Sequence, residues 1–257
     1  MKIRNILILG IAVVFSSSLA SAQIAYTWSG ATSDLSLDTN WDPVGVPSTF
    51  GPDTATFNAL GTIKTGLTPG GVNFSAQAIT FSGATYSFAT IGGGESIGIG
   101  DGAIGSLTLA SAANVNFSSQ YIIVGNSMDW GLSGNSVLTS TGVVDVSTYA
   151  LNVLYGVSET NVVSLTSLTF SGAGEITVAN WGGTTGVYGG SNNQLRFSTD
   201  PTAYLSKISF TGYAGTTAAT QNMGAYYEVV PVPEPATWFL LAMGLTTVVV
   251  FRRRRAS

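Results

Sequence analysis

The sequence predicts an all-β chain, most simply a right-handed parallel β-helix or β-solenoid. Three observations lead there. Apolar and polar residues alternate in short bursts, as in Ile79-Thr80-Phe81, Leu107-Thr108-Leu109, Val115-Asn116-Phe117 and Ile176-Thr177-Val178, the period of two that marks a half-buried strand. A pattern in the centre returns after 25 residues, from Ile97 to Ile122, about the length of one solenoid coil. Between 23 and 230 no stretch carries the period of a helix, while glycines recur throughout and pairs such as Asp101-Gly102 mark turns. A β-sandwich is the alternative, because it too has many short strands and frequent turns. The repeat favours the solenoid, whose units cannot bury their apolar residues alone and share one core when stacked.

Composition narrows the chemistry. The chain has 257 residues, of which 9% are charged and 45% apolar, with neither cysteine nor histidine. This excludes a disulfide framework, the usual zinc sites, and Ser-His-Asp or Cys-His catalysis. The stretch from 23 to 231 holds only Lys64, Arg196 and Lys207 against twelve acids. Three cations on an acidic body cannot neutralise a phosphate backbone, so nucleic acid is not the expected partner.

Taken in order, residues 1–22 read as a secretory signal peptide. Lys2 and Arg4 precede the apolar run Ile6 to Phe15, and Ala20-Ser21-Ala22 forms a small-residue cleavage site before Gln23. Residues 23–230 form the body. Its repeat runs Ile97-Gly-Ile-Gly-Asp-Gly102, then Ile122-Ile-Val-Gly-Asn-Ser127, then more loosely Asn152-Val-Leu-Tyr-Gly-Val157. Residues 231–257 differ in kind. Pro231-Val-Pro-Glu-Pro235 is a stiff breaker, 236–251 lacks any charge, and Arg252, Arg253, Arg254 and Arg255 follow. Sixteen residues make a helix of about 24 Å, which snorkelling arginines extend towards the roughly 30 Å hydrocarbon core. The arginines hold their end in the cytoplasm, so the body lies outside.

Pro233-Glu234-Pro235, the apolar helix and the terminal arginines together resemble the PEP-CTERM sorting signal of Gram-negative bacteria. The resemblance implies an exosortase-type membrane transpeptidase as partner, cleavage near the triplet, and transient anchoring before delivery to the cell surface or extracellular matrix. The prolines would keep that region extended and accessible, and the tail would add nothing to the solenoid core. The body is similar to β-helical autotransporter passengers, through Thr27-Trp28-Ser-Gly30, Asn40-Trp41-Asp-Pro43 and Asp53-Thr-Ala-Thr-Phe57 at its start. Asn180-Trp181-Gly, Gln194-Leu-Arg-Phe197 and Tyr227-Glu-Val-Val-Pro231 resemble segments found ahead of such sorting signals.

The function expected is that of an exported structural protein associated with exopolysaccharide or biofilm. A carbohydrate-binding adhesin comes second and a polysaccharide-degrading enzyme third, since paired carboxylates suffice for glycoside hydrolysis. No catalytic residue, cofactor or metal site is expected. Asp34, Asp38, Asp42 and Asp53 cluster in sequence but fit neither an EF-hand nor the calcium-binding nonapeptide. Trp28, Trp41 and Trp181 suit caps on the open solenoid ends. Trp130, in Asn126-Ser-Met-Asp-Trp-Gly131, reads as part of an exposed loop between coils and is the candidate glycan contact.

Overall fold

The computed structural model describes residues 22–47, 52–61, 64–69, 74–89, 96–99, 105–118, 121–124, 127–146, 149–170, 172–190 and 192–234. The chain opens with β1 (Ala25–Trp28), and a short 3-10 segment at Asp38–Asn40 leads into β2 (Trp41–Asp42), antiparallel to β1. Coils follow. The first holds β3 (Thr54–Phe57) and β4 (Phe74–Ala76), the second β5 (Ala78–Ser82), β6 (Thr85–Ser87) and β7 (Ser96–Ile99). The third holds β8 (Gly105–Ala110), β9 (Asn114–Phe117) and β10 (Tyr121–Val124). In the fourth, β11 (Met128–Leu132) precedes the long β12 (Val137–Asp145), and in the fifth β13 (Ala150–Tyr155) precedes β14 (Val162–Thr169). Then come β15 (Glu175–Ala179), β16 (Gln194–Phe197), a 3-10 segment at Thr202–Lys207 and β17 (Ile208–Phe210). The antiparallel hairpin of β18 (Thr216–Asn222) and β19 (Tyr227–Pro233) closes the body.

This is a β-solenoid of about five turns, whose regular structure is nearly all β, and not a sandwich. From β3 to β17 each strand pairs in parallel with its counterpart one coil away. Thr54, Ala78, Ser106, Asp129, Asn152, Thr177 and Ser209 stand in one column, so the steps between coils are 24, 28, 23, 23, 25 and 32 residues. β12 pairs with β9 through its first half and with β10 through its second, with an irregularity between Ser140 and Val143. One strand thus turns a corner that separate strands make in the third coil.

The alternation seen in the sequence becomes two sides of a wall. Ala55, Ile79, Leu107, Trp130, Val153, Val178 and Phe210 form one inward column, all buried. Their neighbours Thr27, Thr56, Thr80 and Thr108 stand side by side on the half-buried outer face. Each β-branched threonine suits that pleated surface. Near the start the core is aromatic: Phe57 stacks on Phe81 at 4.6 Å, and Trp41 on Phe74 at 5.7 Å. Such pairs add about 0.5–1.5 kcal/mol each beyond the area they bury.

The repeat inferred from the sequence is half right. Ile97 does lie beside Ile122 in register. The next residue in that column is Val144, whereas Asn152, taken as the start of the third copy, pairs with Asp129 on another face. Coils of unequal length let a constant period slide onto a neighbouring face with the same apolar alternation.

Candidate functional site

The corners between coils are tied by side chains that complete backbone bonds of the next coil. Asn161 is fully buried; its Oδ1 accepts from Ser136 N–H at 2.9 Å, and its own N–H donates to Asn193 Oδ1 at 3.1 Å. Asn193 in turn donates through Nδ2 to the Gly156 and Asn180 carbonyls at 3.0 and 2.7 Å. Buried polar groups must be paired, and a stack of asparagines pairs them coil by coil. Glu159 joins this network, accepting from Gly134 N–H at 2.8 Å and from Asn161 Nδ2 at 3.2 Å.

Several other acids are engaged within the fold as well. Asp53 Oδ1 accepts from Ile24 N–H at 3.0 Å, and Asp129 Oδ1 accepts from Asn152 Nδ2 at 2.8 Å. Asp34 accepts from the N–H and hydroxyl of Ser36. The Thr202 hydroxyl, then its N–H, holds the exposed Asp200 carboxyl below its ordinary range. Among the described residues no three such side chains come together to hold a metal ion.

Trp130 is not in a loop and not exposed. It is the middle residue of β11, 0% exposed, stacked in the inward column between Leu107 and Val153. Its Nε1–H donates to Met128 Sδ at 2.7 Å inside the core. The glycan contact expected there is therefore withdrawn: the Gly and Asp beside Trp130, which resembled a loop signal, are outward positions of a strand. Trp28 and Trp41 are buried at the opening end, 5.0 Å apart and edge to face. Trp181 is buried at the other end against Phe210 and Tyr213, at 5.8 and 5.5 Å.

The closing end is built around β16, β19 and β18. β19 lies between the two, pairing with β16 at 227–229 and with β18 over its whole length. Arg196 stands opposite Glu228, lies 4.2 Å over the Tyr226 ring and donates through Nε to Gln194 Oε1 at 2.6 Å. Glu228 is fully buried and accepts from Gly189 N–H at 2.5 Å, which draws the 182–190 loop over the cap. Tyr155 donates its buried hydroxyl to Gln194 C=O at 2.7 Å. Burial pushes that phenol far above its usual range, against the smaller opposing pulls of the Val163 backbone and the Arg196 charge. Tyr188 is also raised, by burial first and then by the Glu228 carboxylate. Sequence reading assigned Trp181 to this end but did not find the polar cluster, because Arg196, Glu228 and Tyr226 meet only once the hairpin folds.

Among the sorting residues, Pro233 and Glu234 are described; Pro235, the expected helix at 236–251 and Arg252, Arg253, Arg254 and Arg255 lie outside the described residues. So do Ala20 and most of the expected signal peptide, whereas Ala22 and Gln23 are exposed just ahead of the first backbone pairing at Ile24. Among the described residues no helix is long and apolar enough to cross a membrane. The boundary expected between 230 and 231 falls inside a strand. β19 continues to Pro233, and Glu234 N–H donates to Gly215 C=O at 3.0 Å. The first residues of the tail thus belong to the body, where antiparallel pairing with β18 holds them.

Over residues 231–255 the chain matches the PEP-CTERM protein-sorting motif. The motif marks an exosortase-targeted extracellular protein, sorted to the cell surface in Gram-negative bacteria and processed by a membrane enzyme. Comparison with curated proteins and with solved structures finds no match.

Proposed function

We propose that this is a structural component of the cell surface or extracellular matrix of an exopolysaccharide-producing bacterium. After export it is held by its C-terminal helix, processed by an exosortase and delivered to that matrix. The observation that carries this reading is the union of the sorting motif with a solenoid whose described tryptophans are spent on its own core and caps. Trp28, Trp41, Trp130 and Trp181 are all buried, which leaves the adhesin reading without the aromatic platform that suggested it. The acids Asp53, Asp129 and Glu159 tie one part of the body to another, which supports a scaffold over an enzyme.

Fractionation of the native host, with a tag in the body and mass spectrometry of the mature C-terminus, tests the reading. The expected result is processed protein in the surface or matrix fraction, with no reducing-sugar release from the host polysaccharide. Full-length protein confined to the cytoplasm, or sustained sugar release, would refute it.

A further inference from the structure

Pro231 to Pro233 belong at once to β19 and to the sorting motif, and Glu234 continues the same pairing. The bond from Glu234 N–H to Gly215 C=O sets the phase of the ladder. Bonded and non-bonded pairs alternate along antiparallel strands. Thr217–Val232 is then a bonded pair, while Ala218–Pro231 and Thr216–Pro233 are non-bonded pairs. Both prolines turn their donor-less nitrogens away from β18, so the ladder loses no bond to them. The Pro231 carbonyl faces that same outer side and accepts from Gly186 N–H at 2.9 Å. Pro231 is buried, and Val232 packs against the core. A Pro-x-Pro segment, which in isolation stops a strand, here pairs to its end.

An enzyme that acts on a peptide backbone takes it as an extended chain, through main-chain hydrogen bonds along its edges. In this fold one edge of Val232–Glu234 is already paired with β18. We propose that the β18–β19 hairpin gates exosortase processing. The enzyme takes up the Pro233-Glu234-Pro235 segment only after the end of β19 has peeled from β18, so the rate of processing follows local opening of the hairpin. The opening is short: residues 230–233 pair with β18 and not with β16, and beyond that ladder only the Gly186 N–H bond to Pro231 C=O must break, whereas 227–229 are also fastened to β16. Strand ends with few partners open at far lower free energy than the whole fold. The proposal rests on the sorting assignment and is independent of the structural role proposed for the body.

A disulfide staple tests it. The chain has no cysteine, and the oxidising exterior of the inner membrane favours a new pair. The Cα atoms of a non-bonded antiparallel pair stand about 4.5 Å apart, within disulfide reach. The double variant A218C/P231C therefore fixes β19 to β18 at residue 231, so that opening cannot extend back through 230 and 231, while leaving Pro233, Glu234 and Pro235 intact. In the native host, followed by gel mobility and mass spectrometry of the mature C-terminus, the oxidised double variant should be processed about tenfold or more slowly than either single variant. Treating the cells with dithiothreitol should restore the rate. Thr217→Pro, which removes a bond between β18 and Val232, should speed processing. Equal rates for the stapled and single variants would overturn the gate, as would a reduced double variant that stays uncut while both singles are cut. A parent chain that is never cut would overturn the sorting assignment itself, and the gate with it.

Discussion

Replacing Trp130 by alanine distinguishes a core residue from a surface contact. The side chain is 0% exposed, lies between Leu107 and Val153 in the inward column, and sits at the middle of a five-residue strand paired on both sides. Neighbouring coils cannot close around the gap without breaking the registers that hold them. The loss should therefore lie in the range for a large aromatic removed from a packed core, about 3–5 kcal/mol. Trp130→Leu restores the kind of side chain found at Leu107 and should cost roughly half as much, about 2 kcal/mol. Urea unfolding of the mature protein, followed by far-UV circular dichroism, measures both. With a urea dependence of about 3 kcal/mol per molar, the alanine variant should lose about 1.0–1.7 M in midpoint at unchanged slope. A shift below about 0.3 M would refute the placement of Trp130 in the core.

Asn161→Ala strands the Ser136 N–H in a buried corner and removes a donor to Asn193; it should cost about 2–3 kcal/mol, read as a fall in thermal midpoint. Gly134→Ala places a methyl 2.8 Å from Ser111 N at a φ of +68°, so it should destabilise by about 1–3 kcal/mol in the same assay. Burial pushes the Tyr86 phenol up to about 12, against a smaller opposing pull from the Ser82 backbone, and raises Tyr155 as well. A phenol whose folded pKa is raised contributes stability that is complete below its unfolded value near 10 and declines as pH rises through the folded value. Alkaline absorbance titration should therefore show late-ionising tyrosines that titrate together with unfolding, and an early, complete titration of the intact fold would contradict this. Glu234→Ala keeps the N–H that pairs with Gly215 and changes only an exposed side chain. It should leave stability within about 0.5 kcal/mol of the parent while impairing processing in the native host.

Much of the fold was legible because strand alternation is local. Ile79-Thr80-Phe81 and Ile176-Thr177-Val178 carry their inward and outward sides in their own sequence, and β5 and β15 follow it. Trp130 misled because Met128-Asp129-Trp130-Gly131 has the same alternation, hidden by two residues that also favour turns. Asn152 misled for another reason: its strand has the right pattern but belongs to a different face. Of the closing cap only Trp181 was legible, since Arg196, Tyr226 and Glu228 are brought together by an antiparallel hairpin after a run of parallel coils.

By itself, then, the sequence determined that the body is β, which residues point inwards within most strands, and that the chain ends in a sorting motif. Alternation, turn residues and a contiguous motif are all properties of near neighbours along the chain. Only the tertiary structure decided which strand lies beside which, that Trp130 is core, and that Pro231–Glu234 are folded into the last hairpin. Backbone donors and acceptors are the same in every strand, so they cannot choose partners by chemistry. The choice falls to the lengths of the corners, from 23 to 32 residues per coil, and to the side chains that must share the space between the walls.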